Sequence, residues 1–214
     1  MMLNFKVKVL DNFLNEKDFV ELSNYAKNLA SSEKINIFHN EIDKNNKVIK
    51  SSINEEFLTR INKNYLPIAS NILKDLNDKK LNLLSYSDFT IVKTNKNSKF
   101  PIHDDAPNKL LSGVIFLYPQ DNKGTIFYNN KSGGGKKEID WKINRAVFFS
   151  RKEKETWHSY EGDEKNDRIA LVYNLMTYKK NIREVCKIEK KNYILCMLRY
   201  LINPYLFRFL KVTI

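Results

Sequence analysis

Apolar positions recur along this chain with two different periods, and the change of period divides it. Phe5-Lys6-Val7-Lys8-Val9 alternates apolar and basic residues, the period of a strand with one buried face. Asn15 then stands as a helix N-cap with Asp18 three residues on, opening a helix to about Leu29. Residues 31–50 are polar and rich in Lys and Asn, which reads as a loop or irregular hairpin. Ser52 and Glu55 make a capping-box pattern. Behind them Phe57, Leu58, Ile61, Tyr65, Ile68, Ile72 and Leu76 have the spacing of a second amphipathic helix, which Pro67 should kink or divide.

Beyond residue 83 the period shortens. Apolar and aromatic runs occupy 110–118, 124–128, 145–149, 155–160 and 168–175. Turn residues part them at Asp121-Asn122, Ser132-Gly133-Gly134-Gly135 and Glu161-Gly162-Asp163. Short strands at this spacing favour a sandwich or barrel, and a jelly roll accommodates them best. The expected architecture is mainly β with flanking α-helices in one domain over residues 1–214. A strand and helices fill 1–82, the jelly-roll core 83–178, and a basic amphipathic extension 179–214. In that extension Tyr193, Ile194, Met197, Leu198, Leu201 and Ile202 form an apolar stripe, broken at Asn203-Pro204. Tyr205, Leu206, Phe207, Phe209 and Leu210 follow with Arg208 and Lys211 among them. Such a segment can dock on the core, on a second subunit of a homodimer, or peripherally on a membrane. The sequence leaves these three open.

The net charge of +12 narrows the partners only a little. Its basic residues are scattered, without an arginine-rich stripe or a recognisable nucleic-acid motif, so nucleic acid is not favoured. Positive potential does suit a small anionic substrate. No run of 18 apolar residues is present, so no transmembrane span is expected, and the first residues lack the apolar stretch of a signal peptide. Cys186 and Cys196 fall in what reads as one helix, about 280° apart around it. They are expected to be buried free thiols, which suits a reducing, cytoplasmic setting. Ser132-Gly133-Gly134-Gly135-Lys136-Lys137 lacks the spacing of a phosphate-binding loop, and no helix follows it, so it reads as a hairpin tip.

The candidate chemistry is a split set of metal ligands. His103-Asp104-Asp105 comes first, His158 lies 53 residues after Asp105, and Arg168 ten residues beyond that. On an extended strand alternate residues share a face, so His103 and Asp105 point together while Asp104 points away. His158 must then arrive on another strand. Two imidazoles and one carboxylate on one face of a metal leave three positions open, the arrangement that suits non-heme Fe(II) and O2. Arg168 adds an always-charged fork for a carboxylate. His39, the third histidine of the chain, lies in a polar stretch and reads as a surface or substrate-side residue.

Together these residues, in their order and strand context, resemble the 2-oxoglutarate/Fe(II)-dependent dioxygenase superfamily, particularly its prolyl-hydroxylase-like branch, over about residues 83–177. The resemblance implies a double-stranded β-helix, a jelly roll of cupin-like form. It further implies that His103, Asp105 and His158 bind Fe(II) and that Arg168 pairs with the distal carboxylate of 2-oxoglutarate. The activity implied is hydroxylation of a small or carrier-linked substrate. Members often place a tyrosine on the strand before the His-x-Asp to contact 2-oxoglutarate. Here Lys93 stands at that distance and Tyr86 is the nearest tyrosine, so these two are the candidates for that contact. The strand ending Tyr-Leu-Asn of the branch reads Leu117-Tyr118-Pro119, so a prolyl substrate is not carried over. Two other readings keep part of the pattern. A non-catalytic cupin-like metal or ligand module would not need Arg168, and a nucleic-acid demethylase of the same superfamily would keep every ligand.

Overall fold

The computed structural model describes residues 2–29 and 35–210, with side chains described through residue 202. Among them the chain runs β1 (Lys8–Leu10), α1 (Glu16–Asn28), β2 (Asn36–Phe38), β3 (Glu41–Asp43), β4 (Val48–Lys50) and α2 (Glu55–Asn77). After a 3-10 turn at Asp78–Leu83 come β5 (Tyr86–Thr94), β6 (Lys99–His103), β7 (Lys109–Tyr118), β8 (Thr125–Tyr128), β9 (Lys137–Ile139) and β10 (Ala146–Ser150). The series ends with β11 (Trp157–Glu161), β12 (Arg168–Met176), α3 (Ile182–Glu189) and α4 (Tyr193–Leu210).

The strands form two antiparallel sheets. The larger has the order β1-β10-β7-β12-β5-β3-β4, with β2 also paired to β5; the smaller has the order β6-β11-β8-β9. From β5 to β12 the chain passes back and forth between the sheets, with β8 and β9 an antiparallel pair within the smaller one, which is the double-stranded β-helix. The central strands of the large sheet are buried on both faces. Ile169, Leu171, Tyr173 and Leu175 of β12 join Leu58, Ile61, Ala69 and Leu73 of α2 in the main core. The alternate positions face the smaller sheet, where Phe116, Phe127, Trp141, Val147 and Phe149 make a second cluster.

The helices explain themselves locally. Asn15 caps α1, its side chain accepting from the Asp18 N–H at 2.8 Å. The cap of α2 is Asn54, which accepts from the Phe57 N–H, rather than the expected Ser52. The Ser52 hydroxyl and N–H instead donate to buried Asn40. Pro67 does not divide α2, which is assigned as one helix of 23 residues. Residues 36–50 form short strands at the edge of the large sheet, the hairpin alternative; residues 31–34 of that stretch lie outside the described residues. The glycine-rich run joins β8 to β9, so a strand follows it and no helix.

The single helix expected through both cysteines is corrected. Lys190 adopts left-handed backbone at φ 56° and ends α3, with its N–H on the carbonyls of the last turn. α4 then folds back, so Cys186 and Cys196 lie on different helices yet pack in one buried cluster, both as free thiols. The expected break at Asn203-Pro204 is also absent, because the α4 backbone is helical from Tyr193 to Leu210.

Candidate active site

Pairing of β6 with β11 places His158 directly opposite His103 and closes the long sequence gap between them. The ring centroids are 4.2 Å apart. Asp105 lies just past the end of β6, and its Oδ2 is 3.8 Å from His158 Nε2. The ligand atoms that His103, Asp105 and His158 can offer all lie within 4.8 Å of one another, a spacing one metal ion can bridge.

Each member is held by neighbours. His103 Nδ1–H donates to the Pro101 carbonyl at 2.9 Å, and His158 Nδ1–H to the Thr156 carbonyl at 3.0 Å. Such bonds fix the ring orientation and direct Nε2 towards a metal. Asp105 Oδ1 accepts from Lys109 Nζ at 2.7 Å, and Oδ2 from the Ser112 hydroxyl at 2.6 Å. Burial disfavours the charge of Asp105, but Lys109 and the two histidines outweigh it and hold the carboxyl well below the usual range. Burial, helped by neighbouring His158, pushes His103 down to about 3, so its imidazole is neutral as a ligand must be.

Asp104 points the other way and does not reach solvent. Its carboxylate accepts from the Lys154 N–H at 2.7 Å and from Arg199 of α4. Arg199 also binds Glu153, Arg151 binds Glu153 and Glu189, and Lys80 binds Glu189 at 2.7 Å. Three cations and three carboxylates therefore balance in one buried network. Arg151 is fully buried and its Nε also donates to the Asp105 carbonyl at 3.1 Å, tying the network to the ligand turn. Replacing Arg151 with Met should cost about 3–5 kcal/mol in chemical denaturation, because it takes one cation from two buried carboxylates and leaves three carboxylates against two cations.

Arg168 opens β12 and faces the space between the sheets. It is 2 % exposed, yet no carboxylate among the described residues pairs with it, and its Nε has no partner. Aromatic rings surround the guanidinium instead: Tyr160 at 4.4 Å, Trp141 at 5.3 Å and Phe116 at 5.8 Å to the centroids. Trp141 is itself fixed by donating Nε1–H to the Pro119 carbonyl. Burial draws the Arg168 pKa down to about 10. A buried cation without a carboxylate is costly and marks a place prepared for an anion.

The two residues expected beside Arg168 are not brought there. Lys93 stands on the helix-covered face of β5, and its ammonium donates to the carbonyls of Leu29, at 2.6 Å, and Lys27 at the end of α1. Lys93→Ala should therefore leave carboxylate binding at Arg168 unchanged, as measured by ligand titration. Tyr86 pairs with Met176, whereas Arg168 pairs with Thr94, so they occupy opposite ends of the β5–β12 ladder. Eight residues of strand separate them, about 26 Å. Tyr86 stacks on Tyr178 instead. The residue beside Arg168 that sequence reasoning missed is Tyr160. It lies two positions after His158, so the same period of two that joins His103 to Asp105 could have found it.

At the metal end of the roll the register makes a polar row. Ser112 falls across from Asn174, which pairs with Asp88, which pairs with Glu41. Asn174 Nδ2 donates to Asp88 at 2.9 Å, and His39 Nδ1 lies 3.1 Å from Thr90 on the same face of β5. Burial and the nearby Asp88 charge raise the Glu41 pKa.

No model of a known protein family matches the sequence, and no curated protein matches it. Solved structures do. The dioxygenase for auxin oxidation 1 of Arabidopsis thaliana, in binary complex with 2-oxoglutarate, superposes with a TM-score of 0.64 at 11% identity, covering 82% of this chain and 85% of that one. An oxidoreductase of the 2OG-Fe(II) oxygenase family from Burkholderia pseudomallei gives 0.58 at 15% identity, covering 80% and 84%. A prolyl-4-hydroxylase of Pseudomonas putida gives 0.54 at 13% identity, covering 82% and 94%. The chain has the fold of the 2OG-Fe(II) oxygenases. The jelly roll expected from the strand spacing, in the double-stranded β-helix form that the resemblance implies, is the architecture found, and prolyl hydroxylases are among its structural neighbours. At these identities the likeness concerns the fold, and function must be argued from the site.

Proposed function

We propose that this protein is a 2-oxoglutarate- and Fe(II)-dependent dioxygenase that hydroxylates a small or carrier-linked substrate. One observation carries the reading: buried Arg168, with no carboxylate partner among the described residues, stands beside Tyr160, two residues along β11 from His158. The two positions are about 7 Å apart along the strand, a separation that a short dicarboxylate can cover. A generic metal-binding module of cupin-like form needs no such cation.

The residues fit the metal. Two imidazoles and one carboxylate on one face are the donor set for non-heme Fe(II), and the backbone carbonyls of Pro101 and Thr156 orient both rings. His103, Asp105 and His158 would hold the ion. When bound, iron supplies the oxidative chemistry, coupling decarboxylation of 2-oxoglutarate with O2 to hydroxylation of the second substrate. Arg168 binds and orients the distal carboxylate, Tyr160 and Trp141 confine the guanidinium, and Phe116, Phe127 and Phe149 exclude water from the interior.

On the substrate side, Asp88, Glu41 and Asn174 favour a molecule rich in N–H or O–H donors over the anionic one that the net charge suggests. The same carboxylates count against a polyanion, hence against the nucleic-acid demethylase reading. Incubation with 2-oxoglutarate and Fe(II) in air tests the proposal. Succinate should form even without a second substrate, and a chelator should stop it; no succinate under any iron loading would refute the assignment.

A further inference from the structure

Helix α4 presents two unlike faces. Its inner face carries buried Cys196 and Arg199, the latter committed to Asp104 and Glu153. Its outer face carries Ile194, Leu195, Leu198, Leu201 and Ile202, exposed by 67%, 55%, 49%, 50% and 49%. Positions i, i+1, i+4, i+7 and i+8 are one continuous stripe on a helix. The same spacing recurs in the sequence at Tyr205, Leu206 and Phe209. Other exposed aliphatic residues, such as Val20, Ile49 and Ile68, stand singly on other elements, as is ordinary for a protein surface. A contiguous apolar stripe marks an interaction surface.

The border of the stripe identifies what it meets. Residues 178–214 hold nine basic residues and two acidic ones. Of those two, Glu189 is buried against Lys80 and Arg151, and Glu184 is paired with Lys187. Lys179, Lys180, Arg183 and Lys190 are exposed around α3 and its junction with α4, and the Arg183 guanidinium lies over the Tyr193 ring at the head of the stripe. We propose that α4 docks this protein on the surface of an anionic lipid bilayer, with the aliphatic stripe in the interface and the basic border on the headgroups. Apolar area and attraction to anionic lipid together are what hold an amphipathic helix there. Pairing of two copies through the same stripe is disfavoured, because a two-fold interface sets the patch against itself and brings the basic borders together. No helix among the described residues is long and apolar enough to cross a membrane, which fits a helix lying in the interface. Because Arg199, on the flank of the stripe next to Leu195, grips Asp104, the ligand turn would stand within about one helix diameter, roughly 10 Å, of the bilayer.

The test uses the full chain and sedimentation with vesicles, one set of phosphatidylcholine alone and one with added phosphatidylglycerol. The protein should bind the anionic vesicles at least about tenfold better than the neutral ones, and salt should weaken the binding. Leu198→Glu with Leu201→Glu should reduce it by about tenfold or more, and so should Lys187→Glu with Lys190→Glu. All four positions are exposed, so circular dichroism and thermal midpoints should match the parent protein and exclude misfolding as the cause. The proposal is overturned if the parent does not bind anionic vesicles, or if the leucine variant binds as well as the parent. It is equally overturned if sedimentation velocity shows a dimer that the leucine variant dissociates.

Discussion

Arg168→Met should raise the KM for 2-oxoglutarate by about two to three orders of magnitude while leaving the ligand-free protein as stable as before, or more stable. The first effect follows from losing a charge-assisted contact to a carboxylate in a dry site, worth several kcal/mol at about 1.4 kcal/mol per tenfold. The second follows from what Arg168 lacks. No carboxylate of the described residues is stranded by its removal, and an apolar side chain of similar length can pack against Tyr160, Trp141 and Phe116. A structural arginine behaves in the opposite way, as Arg151→Met should show. Succinate assays at varied 2-oxoglutarate, together with thermal unfolding of both variants, separate the two cases. A drop in the stability of Arg168→Met with unchanged KM would mean that Arg168 is only a packing residue.

Asp105→Ala should weaken Fe(II) binding by at least about a hundredfold, measured by anaerobic titration, because changes even one shell further out cost ten- to hundredfold. It removes the anionic member of the set and leaves the Lys109 ammonium facing two imidazoles. Added 2-oxoglutarate should not restore binding, since Arg168, at the start of β12, is an always-protonated cation that cannot replace a ligand. An Asp105→Ala protein that keeps parental iron affinity would place the metal elsewhere.

The parts of this site legible in the sequence were those set by local period. His103 and Asp105 share a direction because a strand repeats every two residues, and the apolar runs marked the strand that delivers His158. Register was not legible. Thr94 opposite Arg168 places the even-numbered residues of β5 inside the roll and Lys93 outside, a parity visible only once β12 is aligned. Tyr86 fails for the same reason, by position along the ladder rather than by face. Non-local charge was equally hidden: Lys80, Glu189 and Arg199 are scattered over the chain, and only the folding of α3 and α4 against the ligand turn brings them together. The split between the two cysteines turned on one residue, Lys190, whose left-handed conformation is rare for a lysine and gave no warning in the hydrophobic pattern.

The most direct test of the account is anaerobic addition of 2-oxoglutarate to the Fe(II)-loaded protein, followed by visible absorption. Chelation of the iron by 2-oxoglutarate should produce a charge-transfer band that saturates at one equivalent and is lost in Asp105→Ala. In Arg168→Met the band should appear only at much higher 2-oxoglutarate. A protein that binds Fe(II) but gives no band at any 2-oxoglutarate concentration would contradict the dioxygenase assignment.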